Sequence, residues 1–181
     1  VLVVATTTGT GWIDPAAADS LEYLHSGDTA IVGIQYSYLP SWLSFLVDDA
    51  EAENACASLL EAVRQRWLQL PVGSRPHLVA YGESLGAMGS TGAFEDLGDG
   101  LDRVDAALWV GTPDSSDLHR ELTDARDPGS RYVQPVVDEG RSVRFWSADG
   151  DSQLVGRSWD RPRALFLQHG SDPVVWWSPS L

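Results

Sequence analysis

The stretch PHLVAYGESLGAMGSTGAFEDLGDG, residues 76–100, decides the fold. Its apolar run at 77–81 is typical of a buried strand, and the small residues from Gly86 onward can begin a helix. Between them, residues 82–86 have the G-x-S-x-G spacing of a nucleophile elbow, in which side chains two residues from the serine would clash in a tight turn. The spacing predicts that Ser84 takes strained dihedral angles at the edge of a sheet, beside helix N–H groups suited to an oxyanion. An ordinary glycine-rich turn is the alternative interpretation.

Strands and helices alternate on both sides of this stretch, which predicts βαβ units and a mostly parallel sheet. The expected class is α/β, a three-layer sandwich formed by one domain over residues 1–181. Residues 142–146 alternate in polarity and are either a strand or the edge of an insertion. The predicted strands are 1–5, 29–36, 77–81, 106–111 and 164–168, and the predicted helices are 15–26, 47–70, a segment after Ser84, and 118–125.

Ligands of open parallel sheets bind at the carboxyl ends of the strands. Four side chains able to take part in catalysis are predicted at that edge: Thr8, Ser84, Asp114 and Asp172. Aromatic residues in neighbouring loops either line an apolar pocket or pack in the core and lid. They are Trp12, Tyr36, Tyr38, Trp42, Trp176 and Trp177.

The composition excludes several classes of function. The net charge of −14 repels phosphate backbones and anionic lipid headgroups, so we expect no nucleic-acid partner and no electrostatic membrane binding. The single cysteine, Cys56, lies on the apolar side of a predicted helix and is interpreted as a small core residue. No metal site and no cofactor are expected, because paired His or Cys ligands and phosphate or dinucleotide loops are missing from the sequence.

With the elbow after the third predicted strand, the chain resembles the α/β-hydrolase superfamily. Three segments, TTTGTGWIDP (6–15), QYSYLPSWLSFLVD (35–48) and SDPVVWWSP (171–179), resemble a narrower group, the actinobacterial α/β-hydrolase domains attached to membrane helices. Cutinases and related esterases are neighbours, although a single cysteine departs from the disulfide pattern of cutinases. This resemblance implies a soluble domain of a longer membrane protein, with a C-terminal strand, helix and histidine segment beyond residue 181.

The resemblance assigns roles to individual residues. It makes Ser84 the nucleophile and Asp172 the triad acid, with the backbone N–H groups of Leu85 and of Thr10 in the loop 8–10 as oxyanion donors. The family pattern then requires a histidine after the acid, and none follows Asp172 here. Either the base lies beyond Leu181, or the triad is Ser84, Asp114 and His169.

Two functions from different classes follow. The first is a serine hydrolase that acts on a small-molecule ester, thioester or lipid-like substrate through an acyl-enzyme. The second is a non-catalytic binding or scaffolding domain of a cell-envelope protein, to which the missing histidine gives weight. In either case the resemblance places membrane contact in parts of the parent protein outside this chain.

Overall fold

Six parallel strands form one sheet in the computed structural model, which describes residues 1–8, 10–38, 49–94, 96–147 and 157–176. The strands are β1 (Leu2–Thr6), β2 (Ala30–Ile34), β3 (Leu78–Glu83), β4 (Ala106–Val110), β5 (Val143–Trp146) and β6 (Arg163–Leu167). The described helices are α1 (Pro15–Leu24), α2 (Asp49–Leu68), α3 (Leu85–Gly92), α4 (Leu97–Leu101), α5 (Asp117–Asp124) and α6 (Pro173–Trp176), with 3₁₀ turns at Val72–Ser74 and Asp138–Gly140.

The predicted α/β class with a parallel sheet is confirmed, and the strand order is β2-β1-β3-β4-β6-β5. Residues 143–146, for which two interpretations were open, form the edge strand β5 and pair in parallel with β6. β6 lies between β4 and β5, so the edge strand β5 comes earlier in the sequence than β6, the strand that joins it to the rest of the sheet. The start of the long helix predicted at 47–70 and the aromatic residues Trp42 and Trp177 lie outside the described residues.

One face of the sheet packs against α2, α3 and α5 and holds the main hydrophobic core. Its largest side chains, Trp109, Phe145 and Phe166, are at most 1% exposed, and their rings stack or tilt against one another at centroid distances of 4.8 Å. The predicted apolar stripe of α2 packs against this face through Cys56 and Leu60, so Cys56 is a buried core residue. Burying aromatic side chains of this size contributes most of the hydrophobic stabilisation of such a layer.

The opposite face is covered by α1 over β1 and β3. Helix α1 begins at the N-cap Asp14, whose side chain accepts a hydrogen bond from the N–H of Ala17. Ala17 and Leu21 of this helix, with Ile13 just before it, contact a smaller cluster formed by Val3, Ala5 and Tyr81. No residue of α1 is fully buried, so this layer is thinner than the first.

Over β5 and β6 the same face is covered near the amino ends of the strands by residues 157–160. The ring of Trp159 lies between the guanidinium groups of Arg144 and Arg163, at 4.7 and 5.3 Å, and its indole N–H donates to the carbonyl of Ser142. The carboxyl ends of β4, β6 and β5 lie beyond this cover. None of the helices that the structure describes is long and apolar enough to cross a membrane.

Candidate active site

Ser84 lies in the turn between β3 and α3, with φ 53° and ψ −120°. A positive φ is unusual for a serine and indicates local strain, as the glycine spacing of the sequence predicts. The backbone N–H of Ser84 donates to the carbonyl of Val110 at 2.8 Å, which ties the turn to the end of the neighbouring strand β4. The serine is therefore held at the carboxyl edge of the sheet.

The two glycines of the motif are required by close backbone contacts. A Cβ atom on Gly86 would overlap the carbonyl oxygen of Thr6, and one on Gly82 would overlap the carbonyl oxygen of Gly86. The first turn of α3 thus packs directly on the end of β1. Leu85 is the first residue of α3, and its N–H has no acceptor within the helix because of that position. This N–H group is available to an oxyanion.

The second predicted oxyanion donor belongs to the turn after β1. Within that turn the N–H of Thr8 donates to the carbonyl of Trp12 at 3.3 Å, and the N–H of Gly11 donates to the carbonyl of Thr8 at 2.8 Å. Thr10 is exposed, and its N–H makes no backbone hydrogen bond within the described part of the chain. Gly9 lies outside the described residues.

Asp172 lies on the same edge, in the turn between β6 and α6. Its Oδ1 accepts a hydrogen bond from the N–H of Val174 at 3.0 Å, and its own N–H donates to the carbonyl of His169 at 3.0 Å. Its Oδ2 would lie 3.6 Å from a Cβ atom placed on Gly111, which has φ +57°. Gly111 follows Val110, whose carbonyl binds the Ser84 N–H, so this carboxylate lies beside the end of β4, the strand next to the elbow strand β3.

Two of the four histidines of the chain lie at the amino-end edge of the sheet, opposite Ser84. His25 caps the end of α1, and His77 precedes β3, where its Nδ1 is 3.6 Å from Oδ2 of Asp105. Neither can reach a nucleophile held at the carboxyl ends of the strands.

His169 lies at the correct edge, but its ring nitrogen is already engaged. Nδ1 accepts from the N–H of Ser171 at 3.3 Å and lies 2.8 Å from the Ser171 hydroxyl. A neutral imidazole with an accepting Nδ1 carries its proton on Nε2, so Nε2 cannot act as a base in this tautomer. Asp114 donates its N–H to the carbonyl of Val174 at 3.2 Å and shares no hydrogen bond with His169. The structure does not bring this pair together as a catalytic dyad.

His119, on α5, is 1% exposed and packs against the rings of Phe145 and Phe166. Its Nε2 is 3.0 Å from Oε1 of Gln168, whose Nε2 donates to the carbonyl of Val133 at 3.0 Å. The amide oxygen is thus an acceptor, and the His119 proton must be on Nε2. Burial lowers the pKa of His119, against smaller opposing effects of Gln168 and Asp114. His119 is a neutral structural residue without contact to Ser84.

This burial predicts a pH-dependent stability. The unfolded chain binds a proton at His119 near pH ~6.5, whereas the folded ring resists protonation, so stability present above that pH is lost as the pH falls. We expect His119→Gln to remove a slope of up to about 1.4 kcal/mol per pH unit below about pH 6.5. Chemical denaturation at several pH values measures it, with exposed His25→Gln as the control. Equal slopes in wild type and His119→Gln would contradict the assignment.

Two carboxylates lie near the elbow: Glu83, which directly precedes Ser84, and Asp14, whose charge acts on Glu83. Burial, followed by the nearby charge of Asp14, raises the pKa of Glu83, although the half-exposed position of this side chain limits the effect. The hydroxyl of Tyr81 is 3.4 Å from Oε2 of Glu83, and burial raises the pKa of Tyr81. This corner of the site is negatively charged and disfavours anionic ligands.

A cavity of about 340 Å³ opens at the carboxyl ends of β4, β6 and β5. Trp146, the last residue of β5, lines this cavity but was not among the predicted site residues. The alternating polarity of residues 142–146 was the signal in the sequence that could have indicated Trp146. Trp176, one of the aromatic residues predicted to line a pocket or to pack in the core and lid, does not line this cavity. It packs on Tyr132 and donates its indole N–H to the carbonyl of His169. Within the described residues no group of three or more metal-ligating side chains is placed to hold an ion. The cavity is lined by Val110, Gly111, Trp146, Ser147, Leu167, Gln168, His169 and Asp172.

A parallel sheet with a strained serine between its third strand and the following helix defines the α/β-hydrolase class of fold. A family model described as the alpha/beta-hydrolase family matches residues 1–181, and the chain belongs to this family. The broad resemblance inferred from the sequence is thereby confirmed. No curated protein matches the chain.

Proposed function

We propose that this protein is a serine hydrolase of carboxylic esters or thioesters. The observation that supports it is the positive φ of Ser84 at the start of α3, beside the unpaired N–H of Leu85. Ser84 Oγ attacks the acyl carbon while a base takes its proton, and the carbonyl oxygen gains the negative charge that the N–H groups of Leu85 and Thr10 stabilise. The bond to the leaving alcohol or thiol then breaks, the base returns the proton to that group, and water releases the acid.

The acid of the triad is Asp172 in this proposal. Asp172 is half-buried at the same edge of the sheet as Ser84, and its Oδ2 has no hydrogen-bond partner among the described residues. A carboxylate placed this way can accept the Nδ1–H of a histidine and hold its Nε2 toward the serine.

We propose that the base is a histidine outside residues 1–181. His25 and His77 lie at the opposite edge, His119 is buried against Gln168, and the Nδ1 of His169 accepts from Ser171.

Membrane contact is likewise proposed to come from polypeptide outside this chain. A chain with net charge −14 should then not sediment with anionic vesicles at low salt, and binding that added salt abolishes would contradict this.

A second candidate, a non-catalytic binding domain on the same fold, is favoured by one observation. Within the described residues, which include all four histidines, no histidine makes a hydrogen bond to Ser84. Without a base the hydroxyl stays protonated, and a hydrolase fold by itself does not establish activity.

Reaction with a fluorophosphonate probe, followed by mass spectrometry of the labelled peptide, distinguishes the two candidates. We expect slow labelling of Ser84 in the 181-residue chain, and fast labelling in a longer form that supplies the histidine. His169→Ala should leave the labelling rate unchanged. Rapid ester turnover by the 181-residue chain that His169→Ala abolishes would show His169 to be the base. Ser84 left unlabelled in both forms would favour the binding domain.

A further inference from the structure

The open end of the sheet carries a lateral row of three apolar side chains. The register pairs Val110 of β4 with Leu167 of β6, and Leu167 with Trp146 of β5. Successive side chains of a strand alternate between faces, so these three lie on the face opposite α2, α3 and α5. Each is the last residue of its strand. We refer to these three residues as the apolar row.

The apolar row is much less covered than the row beside it. Trp109, Phe166 and Phe145 precede its members by one position, point to the other face and are at most 1% exposed. By contrast, Val110 and Leu167 are partly exposed, and Trp146 is 45% exposed. All three line the cavity of about 340 Å³, a volume at the lower end of the range for small-molecule sites. Covering such a row with an apolar ligand removes hydrocarbon from water.

The polar side chains around this cavity are largely engaged within the protein. The amide of Gln168 binds His119 and the carbonyl of Val133, and Nδ1 of His169 is occupied by Ser171. Oδ1 of Asp172 accepts from Val174, which leaves Oδ2 directed at Gly111. A ligand in this cavity therefore meets hydrocarbon along the apolar row and polar groups beside it, which include Oδ2 of Asp172, Nε2 of His169 and the side chain of Ser147.

The cavity adjoins the proposed catalytic site at Val110. The carbonyl of Val110, the first member of the apolar row, accepts the N–H of Ser84 at 2.8 Å. On the other side of Val110 the register places Glu83, so the row begins beside a carboxylate. A negatively charged ligand is disfavoured there by Glu83, Asp172 and the net charge of −14.

We propose that the apolar row binds the hydrocarbon chain of an uncharged ester or thioester, and that Trp146 determines the chain length that fits. This inference rests on the proposed hydrolase function, because that function is the reason for naming an ester or thioester as the ligand. The binding of a hydrocarbon chain does not itself require a reactive serine. Trp146 closes the far end of the row, because β5 is the edge strand. A chain that starts at Ser84 runs along Val110 and Leu167 before it reaches the indole.

The test measures the affinity of straight-chain 1-alkanols, from butanol to decanol, by calorimetry or NMR titration. We expect about fourfold tighter binding per added methylene until the cavity is filled, in wild type and in Ser84→Ala alike. Trp146→Ala should weaken binding of the longer alkanols about tenfold, and Leu167→Ala provides a second variant of the row. Trp12→Ala is the matched control, because Trp12 is 49% exposed but does not line the cavity.

Three results would overturn the inference: affinity independent of chain length, equal effects of Trp12→Ala and Trp146→Ala, or alkanoates that bind as tightly as alkanols of equal length. The result of this binding test is independent of the result of the fluorophosphonate test of the proposed hydrolase function. Length-dependent binding that needs Trp146, in a protein whose Ser84 stays unreactive, supports the apolar site and rejects the hydrolase. A reactive Ser84 with length-independent alkanol binding rejects the apolar site alone.

Discussion

Replacing Ser84 with alanine is expected to lower ester hydrolysis about 10⁴-fold or more in any form of the protein that turns over esters. The reason is that the covalent route is lost, and the N–H groups of Leu85 and Thr10 retain only the stabilisation of the oxyanion. Steady-state hydrolysis of a short acyl ester measures the effect. Ser20→Ala, on the exposed side of α1, is a serine control and should keep the wild-type rate. Activity of Ser84→Ala within tenfold of wild type would remove Ser84 from the mechanism.

A glycine at the same position separates chemistry from strain. Ser84→Gly should be as inactive as Ser84→Ala, yet more stable, because glycine adopts φ 53° without steric cost. Strain at such a residue is about 1–3 kcal/mol, of which the greater freedom of glycine in the unfolded chain offsets about 0.5–1 kcal/mol. We therefore expect Ser84→Gly to melt roughly 2–4 °C above Ser84→Ala. A melting temperature of Ser84→Gly equal to or below that of Ser84→Ala would show that the strain does not exceed about 1 kcal/mol, the stability that glycine loses through its freedom in the unfolded chain.

Gly86→Ala is expected to be among the most destabilising single changes in the chain. The added methyl group would overlap the carbonyl oxygen of Thr6, a backbone atom that cannot move without displacing the end of β1. We expect a loss of about 3 kcal/mol or more in the free energy of unfolding, measured by urea denaturation. Gly73→Ala is the matched control, because nothing lies within 4 Å of its added methyl group. Similar losses in both variants would mean that α3 does not pack on β1 as closely as described.

The elbow was predictable because its requirements are local. Gly82, Ser84 and Gly86 specify a turn whose geometry depends on a few adjacent residues, and the same holds for the N-cap Asp14 followed by Pro15. The placement of Asp172 on the same edge follows from the rule that carboxyl ends of parallel strands share one edge. These features need no knowledge of which strands are neighbours.

The cavity beside the elbow was not predictable for the opposite reason. It depends on β6 lying between β4 and β5, an order that the succession of strands along the chain does not reveal. Only that order places Leu167 between Val110 and Trp146. The hydrogen-bonding state of His169 is likewise a consequence of one turn, in which Ser171 bends back to Nδ1. Sequence spacing alone left His169 open as a base.

The strand order also constrains how the chain is assembled as it leaves the ribosome. Among the described strands β5 pairs only with β6, so residues 143–146 lack this sheet partner until residues 163–167 have been synthesised. Until then β4 forms the border of a four-stranded sheet, with its backbone N–H and C=O groups open to pairing with another nascent chain. Insertion of β6 closes this border and joins Val110, Leu167 and Trp146 in one step. The elbow can thus form on a partly synthesised polypeptide, whereas the apolar row is assembled only after residues 163–167 have been synthesised.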